Sequence, residues 1–516
     1  MVIALVIVSI TPEIALEKSR TYAGGLGVLE GDKFYAAGDM GLDYVVLSLF
    51  YTQGYARVRV KDDQVSFEAE EHASEFYDNL KPSRELMVQL KNSTVYVRPW
   101  IYSYKTAKAV LFEATCPEWA RKLTSRVYIE ETDEDKYLKY ILLAKASAEY
   151  IARNIGLEKV SVIDLEESYT ALILYVLNTA EAKSRIILHT PGPWGHPVYP
   201  SDFIERELGV RVSSSVINIT SEAVKKLKEV IVVSRKQSDI IPKIFPEAVG
   251  KVKAITNGIY LERWMDPLLF TMWKKGVMDL DTLKNVRQKS KKELEAVLRS
   301  YKDDIRIENK AVITWSRRLS RYKRPYFIAR FIEENPDLNV VYILAGKPHP
   351  RDPDGVNYLK WFRELSLKVK NAIYIPDYDL DVAKLLVKSS DLWLFTPFSG
   401  WEACGTSYMK ALVNGVPVLS SRDGGVLEII EEGVNGWLFG SDIRDFVDIY
   451  KDARAREIDE REYREFSEKM KTITNIYYND AEKYWETALN AWKLTPQRVD
   501  IKNVLKEYYF PKSTLN

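Results

Sequence analysis

Short apolar runs alternate with helical patterns along the chain, the signature of a parallel sheet wrapped by helices. The first run, residues 1–10, is apolar almost throughout and reads as a buried parallel strand. It has neither a basic leading segment nor a small-residue cleavage site, so it does not fit a secretory signal. A glycine-rich loop is expected over 22–32 and a helix over 33–40. Residues 43 to 115 hold alternating runs (44–50, 94–98, 109–113) and look like a β-rich insertion. A helix near 136–154 then leads into a strand at 159–166, a helix at 168–180, a strand at 185–189 and helices at 201–207 and 221–228. Strands at 230–234 and 252–256 complete this half.

A lysine-rich helical stretch around 267–302 reads as a connection. After it a cleaner series sets strands at 311–315, 340–345, 372–375, 392–396, 416–420 and 435–439 between single helices. The pattern predicts two facing, doubly wound parallel-sheet domains with a cleft between them. They are placed at 1–265 (β-rich insertion about 43–115) and 266–490, with a tail over 491–516 expected to pack back on the first. Ligands of such sheets bind beyond the carboxyl ends of the strands. The residues just after each strand therefore form a candidate site. They are the Gly24-Gly25-Leu26-Gly27 loop, Glu166, His189 and Asn257 from the first half. The second half supplies Arg317, Arg318, Lys323, Lys347, Asp377 and the stretch from Glu402 to Lys410. Many cations, a glycine loop and few acid/base pairs suit the handling of phosphate.

Composition narrows the field further. A chain of 516 residues exceeds one core. Its 74 basic and 73 acidic residues leave a net charge of +1, without the basic excess of a general nucleic-acid binder. Two cysteines, Cys116 and Cys404, exclude a disulfide framework, and the four histidines show no metal-ligand spacing, so no metal is expected. No other run approaches membrane-spanning length, and a cytoplasmic location is expected. The many charges of both signs fit a thermophile.

The candidate motifs differ in strength. Gly24, Gly25 and Gly27 permit close backbone approach to an anion or sugar, yet the same glycines would serve a tight turn. Residues 316–324 hold five cations at a strand end, where arginine offers bidentate geometry and lysine a point charge. His189, in a proline- and glycine-rich loop running to His196, is either a structural hydrogen-bonder or a site residue. Cys404 reads as a packing residue, and the glycosylation-like triplets at Asn92 and Asn218 as chance. Gly405, Thr406 and Ser407 open a helix whose free N–H groups would bind an anion. Lys410 follows that turn inside an apolar helix, where a lysine either binds phosphate or forms a Schiff base with an aldehyde cofactor.

Taken together, these segments resemble the α-glucan (glycogen, starch or maltodextrin) phosphorylase family, in its short prokaryotic form. The resemblance runs from residue 20 to about 440. It rests on Tyr22–Asp32 with Tyr51-Thr-Gln-Gly-Tyr55, His189-Thr-Pro-Gly-Pro-Trp-Gly-His196, and Ile255-Thr-Asn-Gly258 with Trp264. It continues through Arg317-Arg318 with Tyr322-Lys323-Arg324, Ala345-Gly-Lys-Pro-His-Pro350, Pro376-Asp-Tyr-Asp379, and Glu402 to Lys410 with Asn414-Gly415. It implies a GT-B fold and pyridoxal 5'-phosphate on Lys410. The implied reaction is reversible, configuration-retaining transfer of glucose between an α-1,4-glucan and inorganic phosphate, giving glucose 1-phosphate. By position, Arg318 and Lys323 would hold the substrate phosphate with the Gly25 N–H. Arg317, Thr406, Ser407 and Gly405 would lie near the cofactor. Glu402 and Asn257 would bind glucose hydroxyls, and the His189 carbonyl would face the developing positive charge, with Gly24 and Leu26 beside it. A homodimer without regulatory insertions is implied as well.

A nucleotide-sugar-dependent retaining transferase of the same fold is the rival reading, and Gly424-Gly425-Val-Leu-Glu428 resembles such enzymes. Many of them carry a second glutamate eight residues after the first to accept ribose hydroxyls, where this chain has Lys410. A silent carbohydrate-binding relative is a third reading. Against the phosphorylase pattern, Glu166-Glu-Ser-Tyr169 stands where Asn-Glu-Gly-His is common, and Tyr260 and Gln237 replace histidines. These departures bear on which acceptor is used.

Overall fold

The computed structural model describes residues 5–61, 64–177 and 180–511. The start of the expected first strand (1–4), residues 178–179 of the expected 168–180 helix and the end of the expected tail (512–516) lie outside the described residues. The chain forms two compact units. The first takes in the described residues of Met1–Arg57, Glu68–Thr256 and Lys502–Asn516, the second Val58–Phe67 and Asn257–Ile501. Among the described residues no helix is long and apolar enough to cross a membrane.

The first unit is built on a ten-stranded sheet. Its Val6–Ile10 strand pairs in parallel with Tyr44–Leu49 on one side and Val160–Glu166 on the other. Beyond Val160–Glu166 come Ser184–Leu188, Val230–Val232 and Val252–Ala254, all parallel. On the other flank Ala107–Cys116 joins Tyr44–Leu49 in parallel, and Ser93–Tyr104 then runs antiparallel. Apart from Arg57–Lys61 and Gln64–Glu68, the strands expected as an insertion over about 43–115 continue the main sheet. Strand order reverses at Val6–Ile10, so the switch point lies between it and Val160–Glu166.

Two expectations for this unit are corrected. Most of the 22–32 segment is not a loop, because one helix spans Gly25–Asp39. Glycines and buried charges masked it in the sequence. Gly27 and Gly38 are there for close packing: a Cβ would come within 2.6 Å of Tyr22 at the first and 2.7 Å of Tyr104 at the second. Packing overrides their poor helix propensity of about 1 kcal/mol each. The expected 168–180 helix is instead a 3-10 helix, Ser168–Tyr175, and a short α-helix, Ala180–Lys183. The final stretch is helical over Ile501–Tyr509, and Tyr509 donates to the buried Asp164 at 2.6 Å.

The second unit is a six-stranded parallel sheet. Its order is Ala372–Ile375, Val340–Ala345, Ala311–Ser316, Leu392–Phe395, Val418–Ser421 and Gly436–Phe439. The first strand in sequence is third in space, which is the Rossmann order, and the reversal falls between Ala311–Ser316 and Leu392–Phe395. These strands are buried throughout and rich in β-branched and aromatic residues, as a sheet covered on both faces requires. The unit also holds a segment distant in sequence. The Arg57–Lys61 and Gln64–Glu68 strands form a hairpin whose Val58, Val60, Val65 and Phe67 join its apolar core.

Arg324 fastens the 26-residue helix Arg454–Asn479 to the sheet. Its fully buried guanidinium pairs with Glu462 at 2.7 Å and Asp459 at 3.1 Å. Arg324→Met leaves two carboxylates without their cation. It is expected to cost about 3–5 kcal/mol of stability, read as a lower urea midpoint.

Candidate functional site

In the second unit the site grows from the two loops at the sheet's switch point. After Ala311–Ser316 the chain passes Arg317 and Arg318 and turns through a 3-10 helix at Arg321–Lys323. After Leu392–Phe395 it runs through Thr396–Gly405 to the helix Ser407–Leu412. Thr396 ties the loops together, its hydroxyl donating to the Lys323 carbonyl at 2.8 Å and accepting from Trp315 Nε1 at 2.9 Å. Tyr322 stacks on Trp401 at a centroid distance of 6.0 Å.

Three charges meet here. Glu402 Oε2 lies 2.9 Å from Arg317 Nη2 and 2.7 Å from Lys323 Nζ. Burial would raise the Glu402 carboxyl, but the Arg317 and Lys323 charges outweigh it and hold it at about 2. Lys323 behaves oppositely: burial, then the Arg317 charge, push it down to about 7 against the smaller pull of Glu402. Arg317 packs 3.8 Å over the Phe395 ring, and its Nη1 is buried without a hydrogen-bond partner. A buried donor left unmatched is costly, so the cluster retains capacity for an anion.

The backbone here is arranged around Asp423. Its carboxylate accepts the N–H groups of Gly400 at 2.7 Å, Glu402 at 2.8 Å and Gly424 at 2.9 Å. Gly346, at φ +130°, lets the neighbouring strand end pass beneath: a Cβ there would sit 1.8 Å from the Arg317 carbonyl oxygen. Gly405 is needed as well, since its Cβ would meet the Phe395 ring at 2.6 Å. Thr406 is buried at the start of the 407–412 helix, and Ser407 accepts from Trp393 Nε1 at 3.4 Å.

Lys410 lies on that helix, 7% exposed, with its Nζ 3.8 Å from the centroid of the Trp264 ring. Asn414 fixes this pairing by donating to the carbonyls of Trp264 at 2.9 Å and Lys410 at 2.8 Å and accepting from Asp266 N–H at 2.7 Å. Asn257 belongs to this second unit rather than to the first half and donates to the Cys404 carbonyl at 3.0 Å. Burial pushes the Cys404 thiol up to about 12, which suits packing and not nucleophilic attack.

The run of five cations divides. Arg317 and Lys323 contact Glu402, and the half-buried Arg318 is close enough to bias both Lys323 and Glu402. Arg324 is committed to Glu462 and Asp459, and Arg321 lies 5.0 Å over the Tyr450 ring. Two of the five are therefore structural.

In the first unit the candidate residues occupy the carboxyl ends of adjacent strands. Gly24 N–H is already taken by the Glu13 carboxylate at 3.1 Å. Gly25 and Leu26 open the Gly25–Asp39 helix, and Gly25 is exposed with nothing within 4 Å of a Cβ position. His189 Nε2 contacts the buried Glu166 at 2.6 Å, so its side chain is anchored inward. Glu166 also pairs with the buried Lys33, which Glu30 approaches at 3.1 Å. Gln237 is buried with both ends of its carboxamide unpartnered, and Tyr169 donates to the Trp194 carbonyl at 2.9 Å.

Sequence reasoning missed Asp423, Glu13 and the role of Glu167. Asp423 and Glu13 follow strands as the chosen candidates do, and position alone could have flagged them. Glu167, at φ +69°, accepts from Thr190, and its other oxygen is buried and unpaired. Burial raises its carboxyl to about 7 from an ordinary 4.5. A folded-state value above the unfolded one gives stability that is complete at acid pH and lost as pH rises through 7. Glu167→Gln is thus expected to raise the denaturation midpoint at pH 8, by up to about 3 kcal/mol in stability, with the gain vanishing near pH 5.

Comparisons with known proteins bear on this geometry. Residues 299–474, within the second unit, match the model for glycosyl transferases group 1. The chain is 25% identical to an uncharacterised protein of Methanocaldococcus jannaschii, over 95% of this chain and 96% of that protein. It is 26% identical to the maltodextrin phosphorylase of Thermococcus litoralis, covering 83% of this chain but 62% of that one. Against the glycogen phosphorylase of Aquifex aeolicus the identity is 24%, over 84% of this chain and 76% of that one. These relationships identify the chain as a glycosyltransferase built from two Rossmann-like units.

Proposed function

We propose that the chain is a retaining α-1,4-glucan phosphorylase, moving a terminal glucose to inorganic phosphate and giving glucose 1-phosphate, with pyridoxal 5'-phosphate held on Lys410. The observation that carries this reading is the Arg317–Glu402–Lys323 cluster at the second unit's switch point, followed by a buried lysine at 410. The cofactor's phosphate, when bound, would supply a proton donor and acceptor beside the substrate phosphate. The residues suit such a group on two counts. Lys410 is buried against an aromatic ring, and Arg317 keeps a buried donor unmatched.

The chain's own groups then divide the work. Arg317, Thr406, Ser407 and Gly405 hold the cofactor end. Lys323 and Arg318 take the substrate phosphate. A lysine lowered to about 7 is drawn to its charged form when a dianion arrives. The Glu402 carboxylate, kept ionised, accepts glucose hydroxyls, and Asn257 adds an amide donor. The His189 carbonyl stabilises positive charge developing at the sugar, with its imidazole held inward by Glu166.

The group 1 transferase match over 299–474 favours one second reading, a nucleotide-sugar-dependent retaining transferase. Lys410 opposes it, because an ammonium donates hydrogen bonds and accepts none.

Two experiments test the proposal. Maltodextrin and phosphate are expected to yield glucose 1-phosphate, with no transfer from nucleotide sugars; the reverse pattern would establish the second reading. Borohydride reduction and peptide mass spectrometry should find the pyridoxyl adduct on Lys410, and an unmodified peptide from fully active protein would refute the cofactor assignment. Phosphate binding should also take up protons at pH 8, detected by calorimetry in buffers of different ionisation heat. Lys323→Gln is expected to abolish that uptake and raise the phosphate KM about 10- to 100-fold, the range of one charged hydrogen bond.

A further inference from the structure

The carboxyl ends of Val6–Ile10, Val160–Glu166 and Ser184–Leu188, adjacent in the first unit's sheet, carry Gly24–Gly25, residues 166–169 and the loop 189–196. That loop is pinned from its neighbour residue by residue. Glu166 holds His189 at 2.6 Å, Glu167 accepts from the Thr190 hydroxyl at 2.5 Å, and Tyr169 donates to the Trp194 carbonyl at 2.9 Å. Ser168 reaches it through Thr220, whose hydroxyl lies 2.6 Å from Ser168 Oγ and 3.0 Å from His196 Nδ1.

The loop folds on itself just as tightly. A Cβ on Gly195 would meet Thr190 at 2.6 Å, and one on Gly192 would meet the Trp194 indole at 2.7 Å. The indole thus lies against bare backbone at Gly192. Yet Trp194 is 41% exposed. An exposed surface aromatic is unremarkable. Here it tops a loop fixed at four points and stands at the ligand end of the sheet. An exposed ring needs no such anchoring for stability. Rigid presentation of a large amphipathic ring suits recognition, because little conformational freedom is lost on binding.

We propose that Trp194 is a stacking platform for one glucose ring of an α-glucan chain. The apolar C–H face of the sugar would lie on the indole, and residues 166–169 would act as positioning residues that fix the platform. The choice of ligand rests on the phosphorylase reading above; the platform itself rests on the loop geometry.

Binding of maltoheptaose to the full chain tests this without requiring turnover. Calorimetric titration is expected to show affinity reduced about tenfold or more in Trp194→Ala and largely kept in Trp194→Phe. The difference in emission between wild type and Trp194→Phe should change on titration, isolating this indole from the other tryptophans. In turnover, Trp194→Ala should raise the maltoheptaose KM while the phosphate KM stays within twofold. Unchanged maltoheptaose affinity in Trp194→Ala, or no maltoheptaose binding by the wild type, would overturn the platform. Trp194-dependent binding in a protein that releases no glucose 1-phosphate would uphold the platform and sink the phosphorylase reading instead.

Discussion

The second unit depends on one carboxylate shared by two cations. Glu402 neutralises Arg317 and Lys323 at the point where three like-charged side chains would otherwise crowd one strand end. Below pH 7, where Lys323 is protonated, two cations and one anion leave the cluster a net positive charge, with one guanidinium nitrogen unmatched. Such a site is stable when empty and still receptive to an anion. Asp423 holds the backbone of the Glu402 loop, and Gly346 and Gly405 leave the space the strand ends need.

The first unit solves the opposite problem. Two of its buried carboxylates are satisfied internally: Glu166 by Lys33 and His189, and Asp164 by Arg185 and Tyr509. With its polar groups tied below, the 189–196 loop is offered at the surface as a rigid element. The departures from the Asn-Glu-Gly-His pattern at 166–169 are thereby explained in part, since each of the four residues present takes a role in fixing that loop.

Much of this was legible in the chain. Fully buried parallel strands announce themselves as short β-branched runs, and the second unit's six lie within a residue or two of their expected positions. The residues after those strands then supplied Arg317, Lys323 and Glu402 by position alone. What stayed hidden depends on partners remote in sequence. The Gly25–Asp39 helix is made tolerable by Tyr22 and Tyr104, the Val58–Phe67 hairpin is claimed by a core more than two hundred residues away, and Arg324 is claimed by Glu462. No local pattern encodes those preferences.

We propose above that Lys410 anchors a phosphorylated cofactor in the unit that carries the Arg317–Glu402–Lys323 cluster. Phosphorus NMR of the purified protein in phosphate-free buffer tests it most directly. A protein-bound phosphate monoester resonance that survives desalting and is absent from Lys410→Ala is expected. A fully active protein with no such resonance, or one in which it persists in Lys410→Ala, would show that Lys410 does not anchor such a group.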